Sequence, residues 1–213
     1  MREKQEHAHA RSIKERPKQP ATWRVIIVHG LRSHPADCWF PWLKQALEKR
    51  GFAVRVPRMP SPDAPEMKKW VATIARVVGE PDERTILVGH SLGVIALLRY
   101  LETLQSGFRV AGLVSVAGRV MGKPYKHYGV SSFFQSPVRW NRIKSRVGTV
   151  RGIYSIDDPL VSTENGRMLQ QKLGAKLILE RNKGHFSRAD KVFTLPIALR
   201  TVLALRKDSG RSR

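Results

Sequence analysis

Two kinds of apolar run alternate along the chain. Short, mostly apolar runs, rich in β-branched residues, cover residues 25–28, 52–56, 85–88, 110–116, 150–154 and 176–179. Between them lie longer stretches whose apolar residues recur at helical spacing. Residues 40–50 place Leu43, Ala46 and Leu47 on one face, and residues 67–78 do the same with Met67, Trp70, Val71, Ile74, Val77 and Val78. Further helical runs cover 92–104, 163–173 and 196–205, with a short one at 138–143. Gly51 follows the first helix, where glycine closes a helix without a Cβ penalty. Pro196 opens the last one, where its fixed φ suits the first turn. The stretch PRMPSPDAP between the second strand and the second helix reads as a loop.

Six strands that are apolar on both faces and separated by helices predict an α/β fold. A mostly parallel central sheet of about six strands would be covered by helices on both sides. Right-handed crossovers put every strand's C-terminus along one edge, where such sheets bind ligands. Four loops that leave this edge carry notable residues: His29-Gly30 after the first strand, Ser91 after the third, Asp157-Asp158 after the fifth, and Gly184-His185 after the sixth.

Ser91 lies in GHSLG, residues 89–93, between a strand and a helix. This G-x-S-x-G pattern fits a nucleophile elbow rather than a merely structural turn. The turn is so tight that side chains beside the serine would collide, and glycines at both flanks remove the collision. A serine hydroxyl needs a base, and the base needs a third group to orient it. The order serine, acid, histidine recurs here as Ser91, then Asp157 or Asp158, then His185. Asp158, directly before Pro159, is the favoured acid, with Asp157 left to brace the loop or face solvent. The backbone N–H groups of Leu92 and Leu31 are the expected oxyanion donors. His29 is expected to brace the loop of Leu31, and His90 to pack inside the elbow. No pair of histidines has metal-ligand context, so no metal is expected. Phe133, Phe134 and Trp140 fit either an acyl pocket or the core.

Charge changes the picture in one respect. The 213 residues carry a net charge of +22. Residues 1–22 and 206–213 are polar, basic and aperiodic, and are expected to be disordered tails around one domain at 23–205. That domain still holds 29 basic against 13 acidic side chains. Between Glu102 and Asp157 there is no acid, but there are nine bases: Arg109, Arg119, Lys123, Lys126, Arg139, Arg142, Lys144, Arg146 and Arg151. Such a surface either draws an acidic partner, nucleic acid included, or is a solvated face. A basic binding module is therefore the alternative to an enzyme, although no helix-turn-helix, zinc-finger or RNP pattern accompanies the charge. No apolar run is long enough to span a membrane. The single cysteine, Cys38, excludes an internal disulfide and is read as packing. With no secretory segment, the cytoplasm is the expected address.

Taken together, VIIVHG at 25–30 with Trp39 and Trp42, GHSLG, DDPLV at 157–161 and GHF at 184–186 resemble the small serine hydrolases typified by retinoblastoma-binding protein nine, within the α/β-hydrolase superfamily. The loop PRMPSPDAPEMKKW leading to Trp70 adds to the resemblance, which spans residues 23–205. It implies a compact α/β-hydrolase fold with little or no lid. It also implies a triad of Ser91, Asp158 and His185, and esterase activity on small acyl substrates without a cofactor. Given the charge, such a substrate could be anionic. Ser162 departs from the pattern, which commonly has proline there, and the basic tail and the acid-free stretch lie outside it.

Overall fold

A computed structural model of the chain describes residues 22–121 and 130–211. Six strands form one sheet: β1 (Arg24–Val28), β2 (Ala53–Arg55), β3 (Thr85–His90), β4 (Val110–Val116), β5 (Val147–Ser155) and β6 (Lys176–Glu180). Six helices connect or follow them: α1 (Phe40–Glu48), α2 (Met67–Val78), α3 (Leu92–Thr103), α4 (Trp140–Lys144), α5 (Glu164–Leu173) and α6 (Pro196–Arg211). One 3₁₀ turn, Val130–Phe133, precedes α4.

The spatial order is β2-β1-β3-β4-β5-β6, and every pair is parallel. The period-two alternation of a strand sends its side chains to two cores. Val25 and Ile27 join α1 and α6 in one, with Phe40, Leu43, Leu47, Ala198, Val202 and Leu205. Ile26 and Val28 join the helices of the other face, with Trp70, Ile74, Leu97, Ile143 and Leu169. β3 and β4 are buried at every position, as the unbroken apolar runs require. The chain leaves β1 for β2 on one side and reaches β3 on the other. The loops after β1 and β3 therefore diverge at a switch point of the sheet, where ligand crevices form.

α3 is buried from Leu92 to Glu102 and includes a charged pair. Arg99 and Glu102, one turn apart and 4% and 5% exposed, form an ion pair at 3.1 Å. The Arg99 guanidinium also donates to the carbonyls of Phe133, Ser136 and Pro137, and Glu102 Oε1 accepts from Arg139 N–H at 2.6 Å. The irregular segment before α4 is thus fastened to α3 by buried charge.

One expectation needs correction. Residues 206–211, read as part of a disordered tail, extend α6 by more than a turn. Their polarity hid two anchors. The Arg206 guanidinium lies 5.2 Å from the centre of the Phe52 ring, and Asp208 accepts from Arg151 at 3.0 Å. Arginine and lysine are also good helix formers, so the helix persists once its side chains find partners. The N-terminal tail to residue 21, and Lys123, Lys126 and His127, lie outside the described residues.

Candidate active site

Ser91 is the single residue between β3 and α3. Its backbone sits at φ 53°, ψ −120°, a conformation that a residue with a Cβ rarely adopts. Such strain persists only where the surroundings over-determine it. Here Ser91 N–H donates to Val116 O at 3.0 Å, and Ser91 O accepts from Val94 N–H and Arg119 N–H at 3.1 Å each. The flanking glycines are demanded by contact. A Cβ on Gly89 would lie 2.8 Å from the Val94 side chain, and one on Gly93 would meet the carbonyl oxygens of Val28 and His29, the latter at 2.7 Å. The elbow therefore presses directly on the end of β1.

Asp158 and His185 come from separate strand ends and meet. His185 Nδ1–H donates to Asp158 Oδ2 at 2.8 Å, and the Asp158 side chain is fully buried. Its other oxygen, Oδ1, accepts from the backbone N–H groups of Leu160 and Val161 at 2.8 and 3.0 Å, which fixes the carboxylate plane. With Nδ1 engaged, the neutral ring keeps Nε2 as an acceptor. Asp157 faces the other way. It accepts from Ser155 Oγ at 2.5 Å and from the N–H groups of Asn182 and Gly184 at 2.9 and 3.2 Å. The Ser155 bond leads the contacts that hold its carboxyl below the usual range. Asp157 thus ties the β5 loop to the His185 loop, and the geometry separates the two candidate acids.

The His185 loop is bound to the elbow through His90. His90 Nε2–H donates to His185 O at 2.8 Å, and the two rings lie 5.0 Å apart. Burial among Trp39, Phe40 and His185 pushes the His90 pKa down to about 3. His90 is therefore neutral and carries its proton on Nε2. Its Nδ1 is buried without a partner. Among the described residues no hydrogen bond joins Ser91 Oγ to His185; such bonds are often long before substrate binds.

His29 performs a parallel task on the other strand end. Its Nδ1–H donates to Gly30 O at 2.9 Å, and its Nε2 accepts from Met59 N–H at 3.1 Å. Burial lowers its pKa. Because a trans peptide points its C=O and N–H in opposite directions, anchoring Gly30 O to the ring turns the Leu31 N–H away from it. Neither Leu31 N–H nor Leu92 N–H has a protein partner among the described residues. Gly30 packs against Ser91 so closely that a Cβ there would lie 3.0 Å from the serine Cβ.

Three positioning residues were not singled out from the sequence. Asp190 Oδ2 accepts from His185 N–H at 3.0 Å and from Ser187 N–H and Oγ at 2.9 and 2.5 Å. Burial would raise its carboxyl, but these bonds more than offset that and hold it below the ordinary value. The spacing Ser187-x-x-Asp190 was the available signal, a capping-type turn. Asn165 Oδ1 accepts from Val120 and Met121 N–H, and Tyr154 OH donates to Gly118 O, so the loop after β4 is pinned beside the elbow. Nothing in the sequence marks those three contacts.

Other candidates resolve simply. Phe133 is fully buried against Trp70 and belongs to the core, while Phe134 and Trp140 pack half-buried on it. Cys38 is buried, and burial pushes its thiol up to about 12, which makes it a poor nucleophile. Much of the acid-free basic stretch has structural partners. Arg142 and Arg146 donate to Leu104 O at the end of α3, Arg119 to Leu160 O, and Arg151 to Asp208.

An all-parallel six-stranded sheet with a lone strained serine between β3 and α3 defines an α/β-hydrolase fold. The chain belongs to the serine hydrolase family, whose model matches residues 25–203. It is 32% identical over 176 residues to YdeN of Bacillus subtilis (strain 168), spanning 83% of this chain and 92% of that protein. The crystal structure of the ydeN gene product superposes with a TM-score of 0.82 at 31% identity, over 87% of this chain and 100% of that one. Serine hydrolase RBBP9 of Rattus norvegicus is 29% identical over 153 residues, 71% of this chain and 80% of the relative. Est1E from Butyrivibrio proteoclasticus shares the fold, with a TM-score of 0.68 at 15% identity over 92% of this chain and 90% of that one. No helix among the described residues is long and apolar enough to cross a membrane.

Proposed function

We propose that the protein hydrolyses small carboxylesters through Ser91, His185 and Asp158 by way of an acyl-enzyme. One observation carries this: the 2.8 Å bond from His185 Nδ1 to a fully buried Asp158 carboxylate, on a loop whose carbonyl is held by the residue preceding Ser91. Ser91 Oγ attacks the ester carbonyl, and its proton passes to His185 Nε2. The negative charge that develops on the carbonyl oxygen is taken by the Leu31 and Leu92 N–H groups, donors that need no reorganisation. Asp158 stabilises the imidazolium. His185 then returns the proton to the leaving alkoxide, and a water deprotonated by the same nitrogen releases the acid. The binding-module alternative is weakened by the basic stretch itself, since several of its arginines are tied to backbone carbonyls or Asp208.

The test is covalent labelling with a fluorophosphonate, read by mass spectrometry on the wild type and on Ser91→Ala. The probe needs an activated serine and an oxyanion site but no knowledge of the natural substrate. Adduct at Ser91, absent from the variant, is the expected result. A folded wild type that takes up no probe, or takes it up at another residue, would overturn the assignment.

A further inference from the structure

The two edges of the sheet are built differently. β2 is three residues long and carries Arg55, the kind of short, charged edge that resists pairing. β6 has five residues, Lys-Leu-Ile-Leu-Glu, and pairs only with β5 among the described residues. Leu179 is 56% exposed, and Leu177 and Ile178 are half-buried. Three consecutive apolar residues on an open edge form a template for another strand.

The direction of its backbone groups identifies the strand that fits. Ile156 N–H donates to Glu180 O at 3.1 Å, so the N–H and C=O groups of Lys176, Ile178 and Glu180 turn toward β5. Those of Leu177 and Leu179 therefore turn outward. Let a second copy approach antiparallel, with the two-fold axis at Ile178. Leu177 of each copy then stands opposite Leu179 of the other as a hydrogen-bonded pair, and Ile178 meets its own counterpart at the closer, non-hydrogen-bonded position. Lys176 falls opposite Glu180 at both ends. No ion pair among the described residues engages either side chain. A slip of one residue would turn the leucines to the wrong face, and a slip of two would separate the charges. The strand is thus complementary to itself in backbone, apolar content and charge, in one register only.

We propose that β6 is a homodimer interface, joining the sheets of two copies antiparallel about Ile178. Sedimentation velocity on the full chain at physiological salt, from low to high micromolar, should show a concentration-dependent dimer. K176E and E180K each set like charges opposite at both ends and should weaken the dimer about tenfold or more. The double variant K176E/E180K, and an equimolar mixture of the two single variants, restore opposite charges and should restore the dimer. A wild type that stays monomeric throughout overturns the proposal. So does a set of variants that all associate alike, or a mixture that fails to recover. None of these readouts depends on catalysis, so the outcome stands apart from the assignment of Ser91.

Discussion

Asp157 and Asp158 are chemically identical neighbours with opposite expected consequences when neutralised. In Asp158→Asn, the Leu160 and Val161 N–H groups draw the amide oxygen to the place of Oδ1, which accepts from both at 2.8 and 3.0 Å. The amide NH₂ is then left facing His185 Nδ1, 2.8 Å away in the wild type. An NH₂ donates and cannot accept, so the ring moves its proton to Nε2 and can no longer take one from Ser91. Forcing that tautomer costs about 10⁴ in kcat in a serine protease, roughly 5 kcal/mol at 1.36 kcal/mol per decade. A loss of that order, with KM little changed, is expected here. Asp157→Asn keeps an oxygen for Ser155 Oγ and Asn182 N–H, loses the longer contact to Gly184 N–H, and does not touch the His185 ring. Its kcat should fall by less than a decade. The assay is steady-state hydrolysis of 4-nitrophenyl acetate with both variants, each checked for folding by thermal denaturation. If Asp158→Asn kept more than about a tenth of the wild-type kcat, or if Asp157→Asn fell as far, the division of labour would be refuted.

Gly93→Ala drives a Cβ into the carbonyls at the end of β1, where backbone cannot yield cheaply, and should cost about 3 kcal/mol, or about 6–12 °C in Tm. Gly107→Ala, with open space but φ +92°, should cost about 1–2 kcal/mol, so equal melting points for the two would sink the clash argument. Arg99→Met strands Glu102 and the carbonyls of Phe133, Ser136 and Pro137, and should cost about 3–5 kcal/mol in urea unfolding. Adding Glu102→Gln should recover part of it, and no loss in the single variant would count against the buried clamp. The pKa values of His29 and His90 are depressed on folding, His90's from 6.5 to about 3. Stability is then complete well above pH 6.5 and falls below it, for His90 down to about pH 3, by at most about 1.4 kcal/mol per pH unit for each ring. Urea midpoints that stay flat from pH 7 to pH 5 would contradict this, and His90→Phe should flatten part of the slope.

The strand-helix alternation was legible because both-face burial leaves unbroken apolar runs, and the β4 range of 110–116 was read without error. Ser91, Asp158 and His185 could be picked out because they lie one, three and five residues past the ends of β3, β5 and β6, where chain order brings loops to one edge of the sheet. What escaped depends on partners far along the chain. The last turns of α6 look like tail until Phe52 and Arg151 are placed beside Arg206 and Asp208. β5 begins at Val147, three residues before the apolar run, because its neighbour β4 supplies the ladder: Val110 pairs with Val147. Arg99 and Glu102 interrupt an apolar helix, and only the docked segment at 133–139 explains their burial.

The three histidines at the sheet edge show how one side chain type can bind a set of loops together. His29 holds its proton on Nδ1 and joins the β1 loop to Met59; His90 holds its proton on Nε2 and joins the elbow to the backbone of His185. His185 points Nδ1–H at Asp158 and so joins the β6 loop to the β5 loop. Each tautomer is set by a backbone group or a buried carboxylate, so none is free to exchange without breaking a contact. Protonating His29 would put a donor on Nε2, where Met59 N–H already donates, and the tie between the β1 loop and Met59 would be lost. Protonating His90 would leave a buried Nδ1–H with no acceptor, beside the ring that the proposed mechanism charges during turnover. Only His185 has a carboxylate to receive a positive charge. The same edge therefore keeps two imidazoles neutral by burial and holds the third against a buried carboxylate, and the proposed mechanism gives the base role to that third one.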